Sequence, residues 1–181
     1  MSRLPRRWVS TVILVPVLLT AAGAAVAETR SFKAAMSWNG HGRVLQINTS
    51  ETEFLGVIEG ILYIESAQGS LDEGFVECTV KQRMDISSGQ ASSEGNCVII
   101  QSGDDNVFAE YRCEGQVGAC RGRFTLTDGT GRFSGIKGAS PMIVRSPLHH
   151  VSGSQTDQEN LVVRNGVLLL TDLEVTLKEG R

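Results

Sequence analysis

The sequence predicts an all-β protein: a single small antiparallel β-barrel of about eight strands, with little helix. Short apolar segments recur every ~10–15 residues between turn clusters, as in sandwiches and barrels. Within several of these segments apolar and polar residues alternate, which indicates strands with one buried side. Glycine is abundant, with 20 in 181 residues against four prolines. No segment keeps a 3.6-residue apolar period over three turns, and no internal repeat is present.

The first 27 residues have the pattern of a signal peptide. Three arginines precede an apolar run over residues 8–22, and the small residues 24–27 offer an A-x-A cleavage site. An uncleaved membrane anchor is the alternative, but Pro16 interrupts the apolar run. We therefore expect residues 1–27 to be removed and residues 28–181 to form one exported domain, periplasmic or secreted.

The charge of the exported part disfavours two classes of partner. The whole chain carries a net charge of −3, and loss of the three leader arginines lowers this to −6. A mildly acidic protein is a poor ligand for nucleic acid or for anionic lipid. No second apolar run approaches the ~18 residues of a spanning helix, so we expect no stable membrane insertion after cleavage.

The first half of the domain predicts three strands. One is expected around Ser31–Trp38. In Phe54–Ile64 the even positions are apolar or glycine, whereas Glu59 falls on the other face. Phe75–Arg83 alternates as well, with its valines and Cys78 on one face. We expect the apolar face of each strand to point into the barrel.

The middle of the domain predicts three more strands. Asn96–Gln101 and Val107–Glu114 flank a turn at Gly103-Asp104-Asp105-Asn106. Cys120–Asp128 repeats the alternation, with Phe124 and Leu126 on the inner face.

The C-terminal part predicts a hairpin. Leu161–Arg164 and Val167–Leu177 are separated by Asn165-Gly166, the residue pair most typical of a type I′ turn. The polar stretch Ser146–Asn160 before it is expected to be a surface loop.

Four cysteines, Cys78, Cys97, Cys113 and Cys120, all lie in the exported part. An even number in an exported chain predicts two disulfides. Zinc is disfavoured because the spacings are 18, 15 and 6 intervening residues, without a C-x-x-C pair. Cys78–Cys97 with Cys113–Cys120 is the favoured pairing. Cys97 and Cys113 are also symmetric about a turn, so strand neighbourhood alone does not choose.

Residues 124–138 carry the most informative motif, FTLTDGTGRFSGIKG. It resembles the G-G-T-G-[KR]-[FY]-x-G-x-x-G hairpin of the allene oxide cyclase and dirigent proteins and of their bacterial exported relatives of unknown function. Asp128 departs from the glycine usual in those families. Residues 107–115 and 120–122 resemble the cysteine-bearing bacterial branch. The resemblance covers residues 92–140 and implies an eight-stranded barrel of the calycin type.

The glycines of this motif are predicted to have an architectural role. Gly129-Thr130-Gly131 is expected to be a tight connection in which both glycines take a positive φ. Gly135 and Gly138 would permit a bend and a close approach of two backbones. A phosphate cradle is the alternative. It is disfavoured because no Lys-Ser/Thr follows and the segment leads into a strand, not a helix.

No metal, cofactor or catalytic residue is predicted. His149 and His150 lie near Asp157, but adjacent residues of an extended chain point in opposite directions and would not readily share one ion. His41 is expected in a polar turn, with a place at the barrel mouth as the alternative.

Two carboxylate pairs, Asp104-Asp105 and Asp72-Glu73, fall in predicted turns. No nucleophile elbow of the G-x-S-x-G type is present.

Three functions remain open. The first is a non-catalytic exported barrel that binds a small apolar molecule or an envelope partner, with Gly56, Gly60 and Gly122 leaving room inside. These glycines could instead only relieve crowding. The second is an enzyme resembling the cyclase or dirigent families, with polar residues in the cavity, such as Glu59 or Tyr63 if their faces are reversed. The third is a structural envelope protein that forms a homo-oligomer through an exposed apolar patch.

Overall fold

A computed structural model describes residues 28–65, 71–101, 105–147, 152–153 and 161–177. The predicted leader, residues 1–27, lies outside these ranges. Nine strands are present: β1 Glu28–Gln46, β2 Glu51–Glu65, β3 Leu71–Asp85, β4 Gln90–Ile100, β5 Asn106–Gln116, β6 Ala119–Gly129, β7 Lys137–Arg145, β8 Ser152–Gly153 and β9 Leu161–Leu177.

The eight long strands close into an antiparallel barrel. Strands β1 to β7 pair in chain order, each with its neighbour in the sequence, and β7 then pairs with β9. Pairing of β9 with β1 closes the cylinder, from Glu28 opposite Leu177 to Arg43 opposite Leu161. The two-residue β8 pairs only with β9. The predicted fold class is confirmed, and Gly131–Phe133, one 3-10 turn, is the sole helical segment of the described chain.

Alternation along each strand fills the barrel interior with apolar side chains. On β1 the buried residues are Ala34, Met36 and Trp38. Leu62 of β2 and Val76 of β3 are each about 2% exposed. The predicted inner faces of β2, β3 and β6 are confirmed.

The predicted hairpin at Asn165-Gly166 is wrong. β9 continues through both residues, with Asn165 paired to Asn39 and Gly166 paired to Trp38. A Cβ built on Gly166 would lie 2.6 Å from Cζ2 of Trp38, and it would also meet the carbonyl oxygen of Arg145. Glycine stands here because the neighbouring ring and backbone leave no space for a side chain.

Two further expectations are corrected. His41 lies within β1 with its side chain exposed on the outer face, not in a turn. The strand is longer than predicted because glycines at 40 and 42 are tolerated between paired neighbours on both sides. Asp72 and Glu73 are exposed residues of β3, not of a turn.

The two ends of the barrel differ. One end, called the open end below, carries the β1–β2 and β3–β4 connections and the β5–β6 turn at Val117-Gly118. The opposite end carries the β6–β7 connection, from which Ile136 is buried in the core.

The glycine motif forms the β6–β7 connection and has the predicted architectural role. Gly131 and Gly135 have φ values of 54° and 77°, whereas Gly129 ends β6 without a positive φ, contrary to expectation. The Thr130 hydroxyl accepts a hydrogen bond from the backbone N–H of Asn106 at 2.9 Å. The backbone N–H of Arg132 donates to the Asp105 carboxylate at 3.0 Å. The Asp105 carboxylate thus already accepts the hydrogen bond of a backbone N–H that a phosphate cradle would need.

Candidate functional site

The four cysteines form two disulfides in the wall of the barrel. Cys78 of β3 bonds Cys97 of β4, its direct partner in the strand register. Cys113 and Cys120 bond across the β5–β6 hairpin. The favoured pairing is confirmed, and no free thiol remains for metal binding or nucleophilic catalysis.

A cavity of about 90 Å³ lies inside the barrel and opens at the open end. Its walls are mainly apolar, and they include Met36, Phe54, Ile58 and Leu62. The β5–β6 turn and the segment Ser146-Pro147 border it at the open end. The site is therefore a small, mainly apolar chamber that reaches the open end of the barrel.

The glycines expected to make room do not line this cavity. A Cβ on Gly56 would lie 2.6 Å from Cζ of Phe54, and one on Gly60 would lie 3.0 Å from Cε of Met36. At Gly122 a Cβ would lie 2.5 Å from Cα of Cys113. These residues relieve crowding between neighbouring strands, which was the alternative interpretation.

The main polar group of the cavity wall is Arg164. One of its terminal nitrogens donates to the side-chain oxygen of Gln82 at 2.6 Å, and the other lies 3.6 Å from the sulfur of Met84. Its guanidinium carbon lies 4.9 Å from the ring centre of Phe54. Within the described ranges no carboxylate forms an ion pair with it.

Arg164 stays charged in spite of its half-buried position. Burial lowers the pKa of its guanidinium, but arginine is not deprotonated in proteins at neutral pH. The cavity wall thus contains a cation whose identified contacts are an amide oxygen, a thioether and an aromatic ring.

Two donors of the cavity wall have no hydrogen-bond partner. Nε of Arg164 and Nε1 of Trp38 are both buried and unsatisfied. Neither side chain has an acceptor atom. The residues around the cavity therefore have an excess of donors.

A second polar pair lies on β4 and β5. The hydroxyl oxygens of Tyr111 and Ser93 are 3.3 Å apart. Burial raises the pKa of Tyr111 to about 12, so its phenol is neutral at pH 7. The cavity wall contains no carboxylate or imidazole among the residues described, and so offers no acid–base pair near neutral pH.

Two of the predicted candidates lie on the outside of the barrel, away from this cavity. Glu59 and Tyr63 are exposed on the outer face of β2, so the reversed assignment is wrong. His149, His150, Asp157 and Asp104 lie outside the described residues. No group of three potential metal ligands occurs in the part of the chain that is described. That part also contains no helix that could span a membrane.

Sequence reasoning missed Arg164 because the false hairpin placed it next to a turn. The alternation continues through that region, with Val162, Leu168 and Leu170 buried on the face that Arg164 shares. A charged residue in phase with buried aliphatic residues was the signal available.

Exposed apolar side chains occur on the outer surface. Val167 and Phe75 lie on one row of paired residues that runs through Ser37 and Ile61, and each is at least 38% exposed. The predicted homo-oligomer remains a prediction.

Known proteins supply no relative for this site. No protein-family model matches the chain, and neither the curated proteins nor the solved structures contain a significant match. The cavity is therefore the feature of the molecule that points to a function.

Proposed function

We propose that this chain is an exported, non-catalytic barrel protein that binds a small apolar molecule in its cavity. The observation that carries the proposal is a mainly apolar chamber inside a barrel whose remaining interior is filled by packed apolar side chains. An eight-stranded barrel has space for its own side chains or for one small ligand.

The cavity volume limits the size of the ligand. At about 90 Å³ it is smaller than the ~150 Å³ engineered cavity that admits benzene. A slender alkyl segment needs a narrower passage than a ring system does. We therefore expect a ligand with a slender apolar part.

Export is supported by two independent features. The arginine-led apolar segment with its A-x-A site is typical of a signal peptide. Two disulfides are typical of proteins in an oxidising compartment. A periplasmic or secreted location accounts for both.

The enzyme hypothesis has less support. The resemblance implies polar residues inside the cavity for such an activity, and two of the polar residues described there, Tyr111 and Arg164, keep one protonation state near pH 7. The resemblance of residues 124–138 to those families stays a prediction. Residues 130–136 of this segment form the connection at the end opposite the cavity entrance, and only Phe124 of the segment lines the cavity.

A substitution that fills the cavity tests the proposal. Isothermal titration calorimetry with 1-octanol, a neutral slender probe, should detect one site on the wild-type protein. Ile58→Trp places a large side chain in the chamber and should weaken binding about tenfold or more, equivalent to about 1.4 kcal/mol.

The matched control lies on the same strand. Leu55 is 41% exposed on the outer face of β2, so Leu55→Trp should leave the affinity unchanged. Equal weakening by both substitutions, or no binding by the wild type, would contradict the proposal.

A further inference from the structure

We infer that the cavity takes an amphiphile with a carboxylate head, which contacts the Arg164 guanidinium at the open end while the apolar tail points inward. The inference deepens the proposed function and rests on it.

The positive charge of Arg164 favours an anionic head group. Desolvating a cation without a counter-ion is costly, and buried charges in proteins are normally paired. Arg164 is half-buried, and its identified contacts are Gln82, Met84 and Phe54, none of which is charged. An anionic head would supply the missing charge, and a guanidinium binds carboxylate through two parallel hydrogen bonds.

The unsatisfied hydrogen-bond donors of the cavity wall favour a head group that accepts hydrogen bonds. In the described part of the chain, three buried side-chain polar atoms have no hydrogen-bond partner. Two of them are N–H donors, Nε of Arg164 and Nε1 of Trp38. Both residues line the cavity. A carboxylate provides only acceptors, which is what these residues lack.

The cavity wall changes from polar to apolar with increasing distance from the open end. Arg164 is paired with Gly40 near the open end, whereas Leu168 is paired with Met36 four residues farther along the strands. This separation is about 13 Å at ~3.3 Å per residue. The polar residues Gln82 and Arg164 therefore lie toward the entrance, and aliphatic side chains form the deep wall. A head-outward, tail-inward amphiphile matches this gradient.

The small volume favours a carboxylate over larger oxyanions. A planar head of three heavy atoms fits beside the guanidinium in a chamber of about 90 Å³ more readily than a tetrahedral sulfate or phosphate.

The test compares probes with one tail and different heads: octanoate, 1-octanol and octyl sulfate, titrated calorimetrically at pH 7 into the full protein. Wild type should bind octanoate about tenfold more tightly than 1-octanol, because hydrogen bonds to charged groups are stronger than neutral ones. Octyl sulfate should bind more weakly than octanoate.

Variants assign the preference to one residue. Arg164→Gln should reduce the ratio of octanoate affinity to 1-octanol affinity to near one. Arg164→Lys keeps the charge without the planar fork and should give an intermediate ratio. Arg121→Gln, at an exposed position of β6, should keep the full preference.

The outcomes separate the two proposals. If wild type binds none of the probes, the proposed function fails and this inference with it. If octanoate and 1-octanol bind equally, the apolar cavity stands and the carboxylate inference is overturned. Tighter binding of octyl sulfate, or an unchanged ratio in a folded Arg164→Gln variant, overturns it as well. The wild-type ratio remains decisive if that variant does not fold.

Discussion

Gly166 lies in the middle of β9, where the absence of a side chain lets the Trp38 ring pack against the strand. Trp38 is 7% exposed and also lines the cavity. The position of Gly166 therefore fixes one wall of the proposed binding site.

Gly166→Ala should destabilise the protein by about 1–3 kcal/mol, the usual cost of overpacking. Alanine gains ~0.5–1 kcal/mol over glycine inside a strand, but the new Cβ would meet both Trp38 and the Arg145 carbonyl. The carbonyl cannot withdraw without disturbing the β7–β9 pairing. Urea unfolding of the variant measures the change.

The control is Asn165→Ala, at the adjacent exposed position, which should change stability by less than ~0.5 kcal/mol. A similarly small effect of Gly166→Ala would show that ring and strand are not in close contact.

At the same scale, sequence alone could not identify the role of this glycine. Asn-Gly is typical of a hairpin turn, but a glycine is also required where a large ring crosses a strand. The partner that decides between them, Trp38, is more than a hundred residues away. The place of Arg164 in the cavity wall was hidden by the same error.

At the scale of elements, the β3–β4 turn is organised by one carboxylate. Asp85 accepts hydrogen bonds from the backbone N–H and the hydroxyl of Ser87, at 2.8 and 2.6 Å. The backbone N–H of Ser88 donates to it at 3.2 Å. Gly89 completes the turn with a φ of 70°. This turn fixes the register of two strands that border the cavity.

These hydrogen bonds, first of all that of the Ser87 hydroxyl, lower the pKa of Asp85 to about 2. The unfolded value is ~3.9, so the charged form is favoured by folding. Its contribution to stability is present above pH ~4 and is lost as the pH falls toward 2. A ¹³C NMR titration of the Asp85 carboxyl measures this pKa directly.

Ser87→Ala removes a donor and should raise the pKa of Asp85 toward its ordinary value. Ser37→Ala, on the exposed face of β1, should leave it unchanged. A wild-type pKa near 4 would contradict the geometry of the turn.

Alternation predicted the inner faces because every long strand has one buried and one exposed side. It fails at irregularities, as in β9, where Leu170 and Leu173 are both buried although three residues apart. The pairing of β7 with β9 shifts register in the same region, between Ala139 and Met142. A pattern with period two contains no signal for such a shift.

At the scale of the whole molecule, closure depends on backbone pairing between the two ends of the domain. β1 and β9 pair along most of their length, whereas both disulfides lie between β3 and β6. The sequence predicted a barrel and its disulfides. It could not predict the cavity, because the empty volume is the difference between the space enclosed by eight strands and the side chains that fill it.

The disulfides should therefore stabilise the barrel without being needed to close it. They join residues 19 and 7 apart in sequence, and chain entropy makes the longer loop worth about 3 kcal/mol and the shorter about 2 kcal/mol. The Cys78→Ala/Cys97→Ala variant should thus lose more stability in urea than Cys113→Ala/Cys120→Ala. All four sulfurs are buried, so the loss of packing is similar in the two variants and does not set their order. Far-ultraviolet circular dichroism should show that both keep the β-sheet signal of the wild type, since the β1–β9 pairing is untouched.

The reverse order of stabilities would show that local packing, not loop closure, controls the effect. Loss of the sheet signal would show that closure itself requires a disulfide.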